Sequence, residues 1–371
     1  MNRTIVGGLA VIAAFAVLGS VTLVRAADLG GSCCADLEER VAELEATTAR
    51  KGGRKMTLTV YGQVNQAILW VDGGGESQRT VTNNGNSQSR FGFSGEAKFA
   101  SGWSAGYVME IGTAKASATG SAEYALGVRH STVFVRSESL GTIWLGKTST
   151  ATDGIAEIDL TNTSVASTRL SLEPLSTSYL MGINLPYDGN REEVLKYVSP
   201  TMAGFTASAA WYSNRNDAWD ASLRYAGELG GVIRLAAGVG YRVEDDLASP
   251  GSKSKTINAS GSILHIQSGL FLNGSYGDMT GATASTTLPL ADIRAWQVQT
   301  GMERKLVDIG PTTFFAEYGR LEGKSGGGST DMYGFGIVQE ISPAAMHLYA
   351  GVRRYDDLDL TVGTAGALIK F

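Results

Sequence analysis

A handful of charged side chains carries whatever chemistry this sequence can do. Asp153, Glu157, Asp159 and Glu173 fall in a stretch with no strand periodicity, whereas Arg90, Lys98 and Arg136 sit on segments that alternate apolar and polar residues. Acids and bases with no nucleophile beside them act through their fields, attracting, repelling and orienting charged or dipolar molecules. Covalent catalysis finds less support. A lipid-facing hydrolase needs a Ser/His/polar arrangement, and the chain offers His130, His265 and His347 with no evident partner. His347 alternates with Met346 and Leu348, which directs it inward. Cys33 and Cys34 are adjacent, a strained arrangement for a disulfide, and their spacing suits neither metal nor catalysis. No cofactor and no metal are expected.

Composition limits the elements that can hold these side chains. A length of 371 residues would suggest two or three soluble domains. Abundant Gly (48), scarce Pro (7) and a charged fraction of only 18% argue against that. A mean hydropathy of -0.01 fits a chain in which apolar and polar residues alternate. No apolar run beyond the amino terminus approaches the roughly 20 residues of a spanning helix.

Residues 1–26 read as a signal peptide: Arg3, an apolar run over residues 5–18, and small residues at the cleavage positions, with cleavage after Ala26. An uncleaved anchor helix is the other reading, but its apolar core is short for a span. Loss of Arg3 and Arg25 makes a chain of net charge -5 more negative still. That balance disfavours nucleic acid as a partner and leans toward a cation-preferring lumen. Residues 27–55 read as a periplasmic coiled-coil segment and hinge. Cys34, Leu37, Val41, Leu44 and Thr48 alternate spacings of three and four. The segment is too short to be stable alone. Either three copies held by another structure form it, or one amphipathic helix lies against the rest.

From residue 56 to Phe371 the period is two. In TLTVYGQVNQAILWV, Val60, Val64, Ile68 and Trp70 share one face, and Tyr61, Gln63 and Asn65 share the other. A soluble sandwich also alternates, but these strands are long for one. Small residues on the polar face leave an open lumen, and Trp70, Trp211, Tyr212, Trp219, Tyr241, Trp296 and Tyr318 recur near strand ends as interfacial girdles would. The expected fold is therefore all-β, a transmembrane antiparallel barrel of roughly 16 strands, with the short helical extension before it. Short links near Gly102, Gly230 and Pro343 alternate with longer loops, among them DGGGESQRTVTNNGNSQ. Residues 148–191 show no clean strand yet contain Ile155, Ile158, Leu160, Leu170, Leu172 and Leu175, so they read as a loop folded into the barrel.

The chain resembles the bacterial general porins, most closely their alphaproteobacterial branch. The resemblance is carried by SRFGFSGEAKFASGWSAGYVMEIG (89–112), GTIWLGK (141–147), REEVLKYVSPTMAGFTASAAWY (191–212), the terminal Phe371 and the extension before the first strand. It implies a homotrimer of 16-stranded barrels in the bacterial outer membrane, each with its own water-filled channel passing small hydrophilic solutes and ions. It also implies outer-membrane lipid and lipopolysaccharide as surroundings, recognition of Phe371 by the barrel-assembly machinery, and attachment of the amino-terminal segment to peptidoglycan. The inward loop in such proteins supplies carboxylates, here Asp153, Glu157, Asp159 and Glu173, facing basic residues on the wall, here Arg90, Lys98 and Arg136. Parity directs Arg90 and Lys98 inward with Ser94 and Glu96; Arg136 is complicated by Phe134 on the same side, and Lys147 has the outward parity of Ile143 and Leu145.

Two other readings stay open. A trimeric adhesin would have a long stalk and a short barrel contribution, the reverse of this chain. A substrate-selective channel for sugars or anions would show lumenal aromatics or a dense basic row, and Tyr61, Tyr349 and Tyr355 are lumenal candidates. The parity of Phe371, Ile369, Ala367 and Ala365 points them to lipid. Leu360 and Val362 have the opposite parity, which predicts either a bulge between the two sets or a strand half that faces something other than lipid, such as a neighbouring subunit.

Overall fold

The computed structural model describes residues 56–73, 76–113, 126–167, 187–213, 217–245, 253–281, 292–324 and 328–371. The expected signal peptide, coiled-coil segment, Cys33, Cys34 and Glu173 lie outside them. Among the described residues no helix is long and apolar enough to cross a membrane.

The first strand segments are β1 (Thr59–Gly73), β2 (Glu76–Asn83), β3 (Arg90–Ala100), β4 (Trp103–Thr113), β5 (Leu126–Ser137) and β6 (Gly141–Ser149). After the long loop come β7 (Arg191–Val198), β8 (Phe205–Ser213), β9 (Asp217–Leu229), β10 (Ile233–Asp245), β11 (Lys253–His265) and β12 (Leu270–Thr280). β13 (Ile293–Val307), β14 (Gly310–Gly323), β15 (Ser329–Ile341), β16 (Met346–Tyr355) and β17 (Leu360–Lys370) complete the wall. Each pairs antiparallel with its neighbours, and β17 pairs back onto β1, from Gln63↔Lys370 to Gly73↔Leu360. The return of the last strand onto the first closes the wall, as lipid requires.

β2 and β3 share one position. The upper part of β1 pairs with β2 and the lower part with β3. The segments therefore form a closed barrel of 16 strand positions. The expected long loop after Asp72 is instead mostly a tall hairpin, because β1 runs to Gly73 and β2 starts at Glu76. Thr and Val favour extended backbone, and paired backbone can continue beyond the membrane.

The alternation has a direct structural consequence. On β1, Val60, Val64 and Ile68 are 48, 46 and 58% exposed, while Gln63 and Asn65 between them are 6 and 0% exposed. The exposed apolar face meets lipid and the polar face meets the interior. At the seam, the Phe371 N–H donates to Gly62 O (3.0 Å), and the Gly62 N–H donates to Phe371 O (2.9 Å). The Phe371 ring covers Gly62 on the outer face, where a Cβ would stand 2.5 Å from the ring.

Leu360 and Val362 correct the expectation for the closing strand. The β17 register runs without a shift on both sides. Both residues are buried inside the barrel with Leu69, Val71, Tyr355 and Met332. The interior thus holds packed apolar patches as well as polar wall. A second correction concerns the aromatic girdle: Trp211 and Trp219 are exposed, but Tyr212 is buried on the inner face and donates to Glu244.

Candidate functional site

Inside the barrel, the loop after β6 is fastened to the wall by polar residues of inward parity. Asp220 on β9 accepts from the backbone N–H groups of Ala151 (3.1 Å) and Thr152 (2.8 Å) and from the Thr152 hydroxyl (2.7 Å). Arg224, one turn of alternation further, donates to Asp153 O at 2.6 Å. On β11, Ser260 donates to Ile155 O and accepts from the Ile158 N–H, and Ser262 accepts from the Leu160 N–H. Asp188 binds the loop to itself, accepting from Gly154 N and Ala156 N at 2.9 and 3.1 Å. Charge-assisted bonds of this kind are the strong ones.

The loop lies tightly against the wall because glycines make room for it. A Cβ at Gly277 on β12 would stand 2.2 Å from the Tyr187 ring. Within the loop, a Cβ at Gly189 would meet the Asp153 backbone nitrogen at 2.1 Å. The far end docks through Val165 and Ala166 onto Phe271, Phe315, Val338 and Leu368. Ser167 there bonds the Glu317–Arg353 ion pair, whose closest contact is 2.7 Å.

The opposite wall is charged. Glu110 on β4 takes Arg129 Nε at 2.5 Å and has Arg90 Nε at 3.8 Å and His130 Nε2 at 3.9 Å. His130 Nδ1 pairs with Thr148 Oγ1 at 3.0 Å. Two consecutive residues of β5, Arg129 and His130, both reach inward. The register explains it: Glu110 opposes His130 but Ile111 opposes Val128, so Arg129 occupies a β-bulge. A bulge inserts one residue and breaks strict alternation. Arg191, the first residue of β7, sends its guanidinium toward Asp153, 3.9 Å away. The loop's first carboxylate and the basic wall thereby meet.

The six expected site residues that lie among the described ones separate into distinct places; Glu173 is not among them. Arg90 and Asp153 belong to this charged zone, and Glu157 is exposed on the loop. Asp159 turns into its own loop instead, accepting from the N–H groups of Thr161 and Ser164 and from Asn273. Those bonds hold the loop's bend, and Asp159 lines a cavity there with Glu157 and Ser164. Lys98 and Arg136 have the inward parity expected of them but stand beside the turns at 101–102 and 138–140. Arg136 pairs there with Glu96 at 3.2 Å and lies over the Phe134 ring. Eight positions separate Lys98 from Arg90, roughly 26 Å of strand, so Lys98 and Arg136 stand at the barrel end that carries these short turns, away from Arg90. Lys147 donates weakly to Arg191 O and keeps the outward parity read for it.

Sequence reasoning missed Glu110, Arg129, His130, Arg191 and the anchors Asp220 and Asp188. Glu110 and Asp220 had the signal of inward parity among apolar neighbours. Arg129 had none, since alternation assigns it outward with Ser131 and Val133.

A sequence model described as Gram-negative porin matches residues 10–360. A direct sequence comparison with curated proteins finds no match. Among solved structures, the anion-selective porin from Comamonas acidovorans is 16% identical with a TM-score of 0.61, covering 85% of this chain and 100% of that one. OmpF of Salmonella typhi, in complex with daunomycin, is 14% identical with a TM-score of 0.60, covering 85% and 98%. The outer-membrane channel DcaP of Acinetobacter baumannii is 12% identical with a TM-score of 0.58, covering 87% and 100%. At these identities the likeness is one of fold.

Proposed function

The chain belongs to the Gram-negative porin family of outer-membrane channels, and from that membership we propose that small hydrophilic solutes and ions diffuse passively between the loop residues 150–167 and 187–190 and the wall formed by β3, β4 and β5. The single observation that carries this reading is the opposition of two built surfaces. One is a loop fastened to the wall by Asp220, Ser260 and Ser262 and to itself by Asp188; the other is the Arg90–Glu110–Arg129 cluster. Fixed charges facing one another across a narrow passage orient water and dipolar solutes and discriminate by charge. Asp153 and Glu157 on the loop, with Arg90, Arg129 and Arg191 on the wall, are the filtering residues. Lys98 and Arg136 act earlier or later on the path, at the periplasmic mouth.

Unspecific passage is better supported than a sugar-selective channel. Of the three tyrosines read as lumenal, Tyr349 and Tyr355 are 1 and 2% exposed and offer no stacking surface to a passing sugar, which leaves Tyr61 alone partly exposed. The functional unit is a homotrimer; OmpT of Vibrio cholerae, a fold relative, has a trimer form. Phe371 serves as the signal for barrel assembly. Lipid and lipopolysaccharide surround the barrel, and the segment from Ala27 tethers it to peptidoglycan. Single-channel recording in planar bilayers tests the reading. Stepwise ohmic conductance is expected, with a zero-current potential that moves toward anion preference in Asp153→Asn. A purified, folded trimer that does not conduct would sink the assignment.

A further inference from the structure

Between Asn83 and Arg90 the second barrel strand leaves the wall. Its β1 partner moves only from Gln66 to Gln63 across that interval, so residues 84–89 have just Val64 and Asn65 opposite them. The surplus turns inward as a short 3-10 turn over Gly85–Ser87, capped by Asn84, which accepts from Asn86 N at 2.9 Å. The Asn84 amide then spends both donors across the lumen. One goes to Val165 O in the far end of the inward loop (2.9 Å) and one to the Tyr349 hydroxyl on β16 (2.7 Å). Tyr349 donates to Asn65 Oδ1 (2.6 Å), and Asn65 Nδ2 donates to Ser87 O (2.8 Å), returning to the turn. Asn65, Asn84 and Tyr349 are all buried. Breaking one member of such a ring leaves its partners without hydrogen bonds away from water.

We propose that Asn84 is a positioning residue of the channel: its side-chain amide latches the far end of the inward loop to the second strand and thereby holds the width of the passage. This rests on the reading that the loop bounds the passage. The apolar docking of Val165 and Ala166 and the Ser167 contacts keep the loop inside the barrel without the latch. What the latch removes is the loop's freedom to fluctuate.

The test combines single-channel recording with amide hydrogen exchange on the full-length trimer. Asn84→Asp turns a carboxylate oxygen toward the Val165 carbonyl in place of a donor; Tyr349→Phe deletes the hydroxyl but adds no charge. Heat-dependent mobility on gels reports folding. Asn84→Asp is expected to raise open-channel current noise several-fold and to speed exchange at residues 163–167, with the β9–β12 wall unchanged. Tyr349→Phe moves both readouts the same way by less, and the double variant shows less than the sum because the two share one bond. Unchanged exchange at 163–167 in folded Asn84→Asp overturns the latch and leaves the channel reading standing. Faster exchange with unchanged noise overturns the claim that the loop sets the passage. If Asn84→Asp does not fold, the same two criteria apply to Tyr349→Phe and decide the matter.

Discussion

Glu110 is the residue on which the wall's electrostatics turn. It is 6% exposed and lies within 4 Å of nitrogens from Arg90, Arg129 and His130. One carboxylate thus offsets a cluster of bases, and changing either sign rebalances the passage. Glu110→Gln should shift the zero-current potential in a salt gradient toward anion preference, and Arg129→Gln should shift it the other way. The double variant Glu110→Gln/Arg129→Gln should return close to the starting value. Stability separates the pair from the charge. Removing Arg129 alone leaves a largely buried carboxylate short of its best donor, an effect on the order of 2 kcal/mol, so urea midpoints should fall for Arg129→Ala and recover in part when Glu110→Gln is added. Equal midpoints in single and double variants would argue that water already satisfies Glu110.

At the scale of the element, the described limbs of the inward loop keep their shape through carboxylates that accept from its backbone, Asp188 and Asp159, and through close approach of the backbone to itself. Its two described limbs, 150–167 and 187–190, touch at Gly189, whose position leaves no space for a Cβ beside the Asp153 backbone. Gly189→Ala must push the limbs apart, and overpacking of this sort costs about 1–3 kcal/mol. Because Asp153 moves with its backbone, the expected result is an altered single-channel conductance with strand content by circular dichroism unchanged. An unaltered conductance would mean that Asp153 is not at the passage. The β5 bulge is the loop's counterpart on the wall: one extra residue re-aims Arg129 so that two adjacent side chains serve the same face.

For the whole molecule, closure and screening make the relevant claims. The seam depends on paired backbone bonds between Gly62 and Phe371 and on the ring lying over a residue with no side chain. Gly62→Val should displace that ring, lowering the temperature at which the folded form converts on gels and slowing assembly in vesicles. An unchanged transition temperature would show that the seam tolerates an open outer face. Selectivity, in turn, should depend on salt across the entire channel. The Debye length falls from about 30 Å at 0.01 M to about 3 Å at 1 M. Permeability ratios measured at high salt should therefore collapse toward those of free solution. Ratios that hold at 1 M would point to direct binding of ions instead of a diffuse field.

Local pattern alone determined a large part of this protein. Alternation assigned the lipid-facing set Val60, Val64 and Ile68, the inward set Gln63 and Asn65, and the outward parity of Phe371, because a strand's side chains point in directions set by their nearest neighbours. Missing alternation located the inward loop between the end of β6 at Ser149 and the start of β7 at Arg191. The tertiary structure decided what depends on partners far away in sequence. Leu360 and Val362 have the parity opposite to Phe371, and what packs on them inside the barrel, Leu69 and Val71 across the seam and Tyr355 on the neighbouring strand, is decided by the closed wall. Asp159 is tied to its own loop and to Asn273, more than a hundred residues away in sequence. Arg129 enters the passage through a register shift that no period-two reading contains. Faces are a local property of extended backbone, whereas register, bulges and contacts across a lumen arise only when the wall has closed.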